Sequence, residues 1–314
     1  MADASVTLGA DSVLPFGIDS AGVRGRLVRL GPALREILGR HDYPLPVARL
    51  LAEGLVMTAA LASMMKFEGV FTLQTRGDGP LRFMVADVAS NGALRGFVEM
   101  DRPAVDELLS REPSPSLPRF CGAGTLTLTV DRNDEGQRYQ GIVELTGASL
   151  ADCILHYFQQ SEQLPSAIHI ATAETPGAWE AAALILQRLP ASEHGSIHPN
   201  LLEAREEGWR RATMLMSTLR DAELLDGGLP MERLVHRLFH EEEYTLHQTL
   251  ELEDRCRCTR QRIATVLTVL QEEELQDMLL PDGRVEAVCQ FCSRRYDFGP
   301  AELETLRQGR KEQR

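Results

Sequence analysis

Between residues 70 and 145 the apolar positions fall in short runs separated by turn formers, the pattern of strands rather than long helices. The runs are 70–76, 81–88, 94–99, 125–130 and 139–145, with 167–171 as a further candidate. Asp131-Arg132-Asn133-Asp134-Glu135-Gly136 concentrates turn residues between two of them, so a hairpin is expected there. Residues 47–65 behave differently. This stretch is apolar throughout except for Arg49 and Glu53, and it is long enough for a core helix. Ser149-Leu150-Ala151-Asp152 has the form of a capping box opening a helix that runs to about Gln160. Strands cluster without regularly intervening helices. The expected fold class is therefore α+β, with a mixed or antiparallel sheet and packed helices rather than a doubly wound parallel sheet.

A break follows at residues 190–200, which contain Gly195 and Pro199. Beyond it, 201–225 and 231–239 take up helical spacing. In the second stretch Met231, Leu234, Val235, Leu238 and Phe239 share one face, opposite Glu232, Arg233 and Arg237. Gly227-Gly228 interrupts these helices, and Glu241-Glu242-Glu243 adds self-repulsion just after them. Such a segment can pack on a neighbour but is marginally stable alone.

Charge sharpens the division. Residues 1–189 carry 22 acids and 16 bases, 190–255 carry 14 and 7, and 256–314 carry 10 and 10. We therefore expect an N-terminal α+β domain over 1–189, a metastable amphipathic helical linker over 190–255, and a small C-terminal domain over 256–314 with a short basic tail, a frayed solvated end. A formal net charge of −13 makes duplex nucleic acid and anionic membranes poor partners. The N-terminus lacks the basic and apolar regions of a secretory signal. The longest uncharged apolar run, 54–65, is shorter than a membrane span, so a cytoplasmic protein with reduced thiols is expected.

The cysteines are the candidate chemistry. Cys256-Arg257-Cys258 is followed by Cys289-Gln290-Phe291-Cys292. Two such pairs can converge on one tetrahedral Zn²⁺ as a four-thiolate site. Residues 284–288 and around 296–298 read as strands whose turn would present the second pair, and 259–270 reads as a helix directly after the first. Arg255, Arg257, Arg260 and Arg262 would favour thiolate. Spacing leaves two readings open, a static zinc-stabilised module and a redox-active centre. Since metal binding doubles as folding energy in small metal domains, oxidation would act as an unfolding switch on the segment upstream.

At this point the chain resembles the redox-regulated heat-shock protein 33 chaperones, over nearly its whole length. The most specific piece is Cys-x-Cys with the later Cys-x-x-Cys. Arg76-Gly77-Asp78-Gly79-Pro80-Leu81, Gly141-Ile142-Val143-Glu144-Leu145, residues 157–163 and the Glu272 to Met278 run before Asp282-Gly283 support it. The resemblance implies an ATP-independent holdase that is inactive when reduced and zinc-bound. It implies Cys256–Cys258 and Cys289–Cys292 as the disulfides of the oxidised state, with zinc release, linker unfolding and homodimer formation from a reduced monomer. Its partners would be unfolded or partly folded client proteins.

Leu201, Trp209, Met214, Met216, Leu234 and Phe239 are candidate client-binding residues once the linker is released, or docking residues while it is not. Cys121 and Cys153 are extra to the four-cysteine pattern. Cys121 lies near a Pro-rich loop and could be exposed, whereas Cys153 is expected in buried packing. His236 and His240 stand four residues apart on a charged helix face and are read as solvated. Gly77-Asp78-Gly79-Pro80 lacks the Lys and Ser/Thr of a phosphate loop and is read as a turn. No catalytic constellation is expected. The rivals are a thiol-disulfide oxidoreductase using Cys289 and Cys292, and a zinc interaction module contacting nucleic acid.

Overall fold

The computed structural model describes residues 10–132, 138–175, 178–190 and 199–312. In chain order the first part contains β1 (Ser12–Ile18), β2 (Val23–Leu30), α1 (Pro32–Gly39), α2 (Leu45–Ala62), β3 (Gly69–Gly77), β4 (Leu81–Ala89), β5 (Ala93–Met100), α3 (Arg102–Arg111) and α4 (Leu117–Cys121). It continues with β6 (Gly124–Arg132), β7 (Arg138–Glu144), α5 (Leu150–Tyr157), β8 (Ser166–Thr175) and β9 (Ala178–Arg188). The expected acidic linker supplies α6 (Pro199–Ser217), α7 (Asp221–Leu224), α8 (Met231–Phe239), β10 (Tyr244–Leu246), β11 (Leu250–Glu251) and β12 (Glu253–Asp254). The last part holds α9 (Arg260–Val269), α10 (Glu272–Asp277), β13 (Val285–Val288), β14 (Arg295–Phe298) and α11 (Pro300–Glu312). The chain divides into two compact units, up to Asp254 and from Arg255.

Two sheets build the first unit. One has the order β10-β1-β2-β9-β8, with β11 also on β1, and its pairs are antiparallel. The other has the order β12-β5-β4-β3-β6-β7 and is antiparallel except for β12, which runs parallel to β5. The fold class is thus α+β, as the clustered strands indicated. Helix α2 packs against strands of both sheets and carries the main core. Pro46 in its first turn removes no needed donor, and the helix ends at Ala62. By length and composition alone α2 could span a membrane, a property the run 54–65 understated, but 78% of it is buried. Here it is the core helix of a folded unit.

Strand β3 shows the expected alternation, with Phe71, Leu73 and Thr75 buried between half-buried or exposed neighbours. The strands β1, β2 and β9 are additions to the sequence reading, and β8 extends well beyond 167–171. In β9, Ala181, Ala183 and Ile185 face the α2 core while Ala182, Leu184 and Leu186 face a second core on the other side of the sheet. A strand buried on both faces has no period-two signal. The helix opened by Ser149 has both halves of its capping box, then ends in a π turn over residues 158–162. The expected turn at 131–136 falls largely outside the described residues, but β6 and β7 on either side pair antiparallel. At the C-terminal end the backbone of α11 runs to Glu312.

The second core is where the acidic segment docks. Helices α6 to α8 bury Ala212, Met216, Leu219, Leu224, Leu234, Val235, Leu238 and Phe239 against Leu14, Phe16, Ile18, Val23 and Leu27. The spacing at 231–239 matches α8 residue for residue. The 201–225 stretch breaks after Ser217, and a separate short α7 follows. Arg29 of β2, 5% exposed, secures that turn by donating to the carbonyls of Leu224 (2.8 Å), Leu229 (2.5 Å) and Glu223 (3.1 Å). The buried guanidinium thereby ties the end of α7, at Glu223 and Leu224, to the turn that leads into α8 at Leu229.

Candidate metal centre

The second unit has a small core of its own, in which Ala264, Leu267, Val285, Ala287, Phe298 and Leu303 surround the cysteines. Hairpin β13–β14 is in register from Val285 opposite Phe298 to Val288 opposite Arg295. Its turn is Cys289-Gln290-Phe291-Cys292. The turn is closed by the Ser293 amide donating to the Cys289 carbonyl (2.8 Å) and the Cys289 amide donating to the Arg294 carbonyl (2.9 Å). Ser293 takes φ +56, which a compact knuckle requires at that position. The first pair lies in an irregular stretch just before α9, whose cap is Thr259 accepting from the Arg262 amide at 3.2 Å. A one-residue gap in such a stretch still lets Cys256 and Cys258 face the same point.

All four Sγ atoms lie within 4.8 Å of one another. Two contacts cross between the pairs, Cys256 to Cys289 at 3.7 Å and Cys258 to Cys292 at 3.3 Å. Tetrahedral Zn–S bonds of about 2.3 Å set ligand sulfurs about 3.8 Å apart, so four clustered thiols of this spacing fit a single ion. The four cysteines form a group that can hold a metal ion, consistent with zinc.

Tyr296 and Arg294, which the sequence reading did not single out, also act on the sulfurs. Burial pushes the Cys258 thiol up, but the Tyr296 hydroxyl, donating to its Sγ at 3.2 Å, and the other three sulfurs bring it down to about 7. Burial raises Cys289 and Cys292. Arg294, which is beside Tyr296, is a cation acting on Cys258 and Cys292. Two of the four arginines around the first pair are engaged elsewhere. Arg260 pairs with Glu302 (Nη2–Oε2 2.6 Å) and lies 4.6 Å over the Phe298 ring, and Arg262 donates to the Arg257 carbonyl. Tyr296 follows the knuckle by four residues, and only the hairpin register brings it back to the sulfurs.

The remaining candidates separate cleanly. Leu234, Phe239 and Met216 are buried under the docked helices, and Trp209 packs partly buried at their edge. Met214 is 68% exposed and takes no part in docking. Leu201 lies on the backbone of α6, its side chain outside the described residues. Cys121 is buried, not exposed, because α4 tucks it into the α2 core, and Cys153 is buried on α5. Cys153 donates to the Thr146 carbonyl at 2.8 Å. His236 and His240 are on the exposed side of α8, where His236 Nδ1 is 2.9 Å from the Tyr244 hydroxyl. Residues 77–80 form the β3–β4 turn, with the Gly79 amide donating to the Cys121 carbonyl at 2.8 Å.

Comparison with known proteins agrees with this arrangement. A family model described as Hsp33 protein matches residues 11–299. A 33 kDa chaperonin of Azotobacter vinelandii is 39% identical over 292 residues, covering 93% of this chain and 92% of the relative. One of Caulobacter vibrioides is 34% identical over 294 residues, covering 92% and 95%. The crystal structure of the 33 kDa chaperonin, a heat shock protein 33 homolog, of Thermotoga maritima aligns with TM-score 0.76. It covers 97% of this chain and all of that one at 23% identity, a likeness of fold. With a family model spanning both units and relatives matched nearly end to end, the chain belongs to the Hsp33 family.

Proposed function

We propose that this protein is an ATP-independent holdase chaperone of the cytoplasm, switched on by oxidation of Cys256, Cys258, Cys289 and Cys292, and not an enzyme. The observation that carries the reading is the cluster of four sulfurs within 4.8 Å inside the small core of the second unit. That cluster is joined in sequence to a segment whose apolar face is buried only by docking. The relatives' name, 33 kDa chaperonin, supports the chaperone role.

In the reduced state the four cysteines would hold one Zn²⁺, which supplies a structural tie whose binding energy is folding energy for a unit with so small a core. Peroxide oxidises one cysteine of a near pair to a sulfenic acid with loss of one water. Its neighbour's sulfur then attacks, forming the S–S bond and releasing a second water. Two electrons pass to the peroxide for each disulfide, Cys256–Cys258 and Cys289–Cys292. After both steps no thiolate remains to hold an ion, and the tie is lost. The linker over 190–255 then leaves the first unit. Trp209, Met216, Leu234 and Phe239, with Leu201 and Met214, become surface for unfolded clients, and the released form pairs as a homodimer.

Light scattering of an aggregating client tests this, with the protein zinc-reduced or oxidised by warm peroxide. Suppression by the oxidised form alone is expected. Equal suppression in both states would remove the switch, and turnover of a small disulfide substrate would favour the oxidoreductase instead.

A further inference from the structure

Strands β1 and β5 would be the edges of their sheets but for one extended stretch, residues 244–254, which covers both. On β1 it pairs Leu246 with Phe16 and Leu250 with Val13, and on β5 it pairs Asp254 with Leu94. The attachment is largely main chain. The His247 amide donates to the Pro15 carbonyl (2.9 Å), Leu252 to Asp11 (2.9 Å) and Glu253 to Gly92 (3.0 Å), while the Asp19 amide donates to Glu243 (3.1 Å). Most side chains of the strap point to solvent, including Leu246 and Leu250.

The receiving edges are built for a backbone. Pro15, tolerated only where no sheet bond is needed from its nitrogen, marks β1 as an edge strand. Gly92, at φ +83, leaves room that any Cβ would close, since that atom would stand 2.3 Å from the Glu251 carbonyl oxygen. Beneath the strap is a trough of about 830 Å³ reaching Ala59, Ala62, Met65 and Phe67.

We infer that the β1 and β5 edges are docking sites for extended segments of unfolding polypeptide, occupied in the resting protein by the protein's own residues 244–254. The inference rests on the chaperone reading and adds where and how clients attach. An edge strand offers N–H and C=O groups that pair with any extended chain whatever its sequence. A holdase must grip unrelated sequences, and the strap demonstrates the grip: paired backbone below, side chains free above. The trough, lined by Ala59, Met65 and Phe67 with Lys66, Glu68 and Arg132, also borders the strap's own Leu250 and Leu252, and it gives alternate side chains of a client the same place once the strap has left. Strap and client compete for the same backbone groups, so the edges are available only once the strap has left.

The test uses the full-length protein oxidised with peroxide and a fluorescent peptide of sequence 244–254. A twin peptide carries backbone N-methyl groups at the positions of His247 and Leu252, whose amides donate to Pro15 of β1 and to Asp11 just before it. The ordinary peptide is expected to bind the oxidised protein, to displace an unfolding client, and to outbind its twin by tenfold or more. Hydrogen exchange at the Asp19 amide should rise on oxidation and fall again when client is added. If client is held but neither peptide displaces it, or both displace it equally, the edges are not the site and the chaperone reading stands. Persistent protection of 244–254 in an oxidised protein that holds client would also overturn the inference. Absence of aggregation suppression in both redox states would overturn the chaperone reading and this inference with it.

Discussion

Phe239 of α8 meets Phe16 of β1 with ring centroids 5.6 Å apart, and neither ring is exposed. Phe16 lies directly over Gly25 of the neighbouring strand, where a Cβ would fall 2.1 Å from the ring. The missing side chain at Gly25 lets the phenyl ring sink to the level of the sheet, and α8 closes over it. This pair anchors α8 on the sheet of β1 and β2.

Phe239→Glu or Leu234→Glu should therefore release α8. Each exchanges about 1.5–3 kcal/mol of apolar burial for a charge with no partner there. Light scattering of an aggregating client should show the reduced variants suppressing aggregation, as only oxidised wild type is expected to. Wild-type inactivity in both reduced variants would refute docking as the restraint.

A second restraint sits at the end of the strap. Arg40, after α1, and Asp254 form a two-armed ion pair (Nη1–Oδ1 2.8 Å), with side chains 22% and 11% exposed. Arg40→Ala leaves the Asp254 carboxylate largely enclosed without this partner, at a cost on the order of 2–4 kcal/mol. Hydrogen exchange across residues 250–254 should accelerate at least tenfold in the reduced variant, while amides of α2 keep their wild-type rates.

Removing the metal should affect the second unit selectively. Its core is small, and a structural ion of this type contributes about 10–16 kcal/mol of binding free energy at neutral pH. Chelation of the reduced protein, or Cys292→Ser, should abolish slow exchange in β13 and β14 while β3 and β9 stay protected. Zinc content, expected at one per reduced chain, should fall well below that, read by a chromogenic chelator.

Glu53 predicts a pH dependence of the first unit. Burial beside α2's core lifts its carboxyl to about 7, against a smaller opposing pull from Arg49. The folded protein therefore binds more protons than the unfolded chain between the ordinary carboxylate range and pH 7. Stability should fall as pH rises through that window, by about 2 kcal/mol given the partial solvent contact. Thermal melts of Glu53→Gln should lose this slope and exceed wild type at pH 8.

Cys121 and Cys153 are both raised to about 11 by burial. At pH 7.5 only about one such thiol in three thousand is ionised, and neither is exposed to a reagent. A brief iodoacetamide pulse on the native protein should leave both unlabelled by mass spectrometry. Cys121→Ser with Cys153→Ala should leave the oxidative response unchanged.

What the sequence determined was local or carried by covalent spacing. The strands of the second sheet were legible because one face is buried and the other is not, as Phe71 and Leu73 show. Helix α8 was legible from Leu234, Val235, Leu238 and Phe239, and the metal centre from the close spacing within each cysteine pair, whereas the meeting of the two pairs across more than thirty residues was the work of the fold. Only the tertiary structure decided the rest. Strand β9 is sandwiched between two cores, which erases its alternation, and Cys121 is buried by the packing of α4 rather than by its Pro-rich neighbourhood. Tyr296 reaches Cys258 through a hairpin register that spans no local motif. The strap is the clearest case. Tyr244, Leu246, Leu250 and Leu252 alternate with polar residues, but such an alternation cannot name the two edges the strap covers, because its pairing is made by backbone groups that every sequence carries.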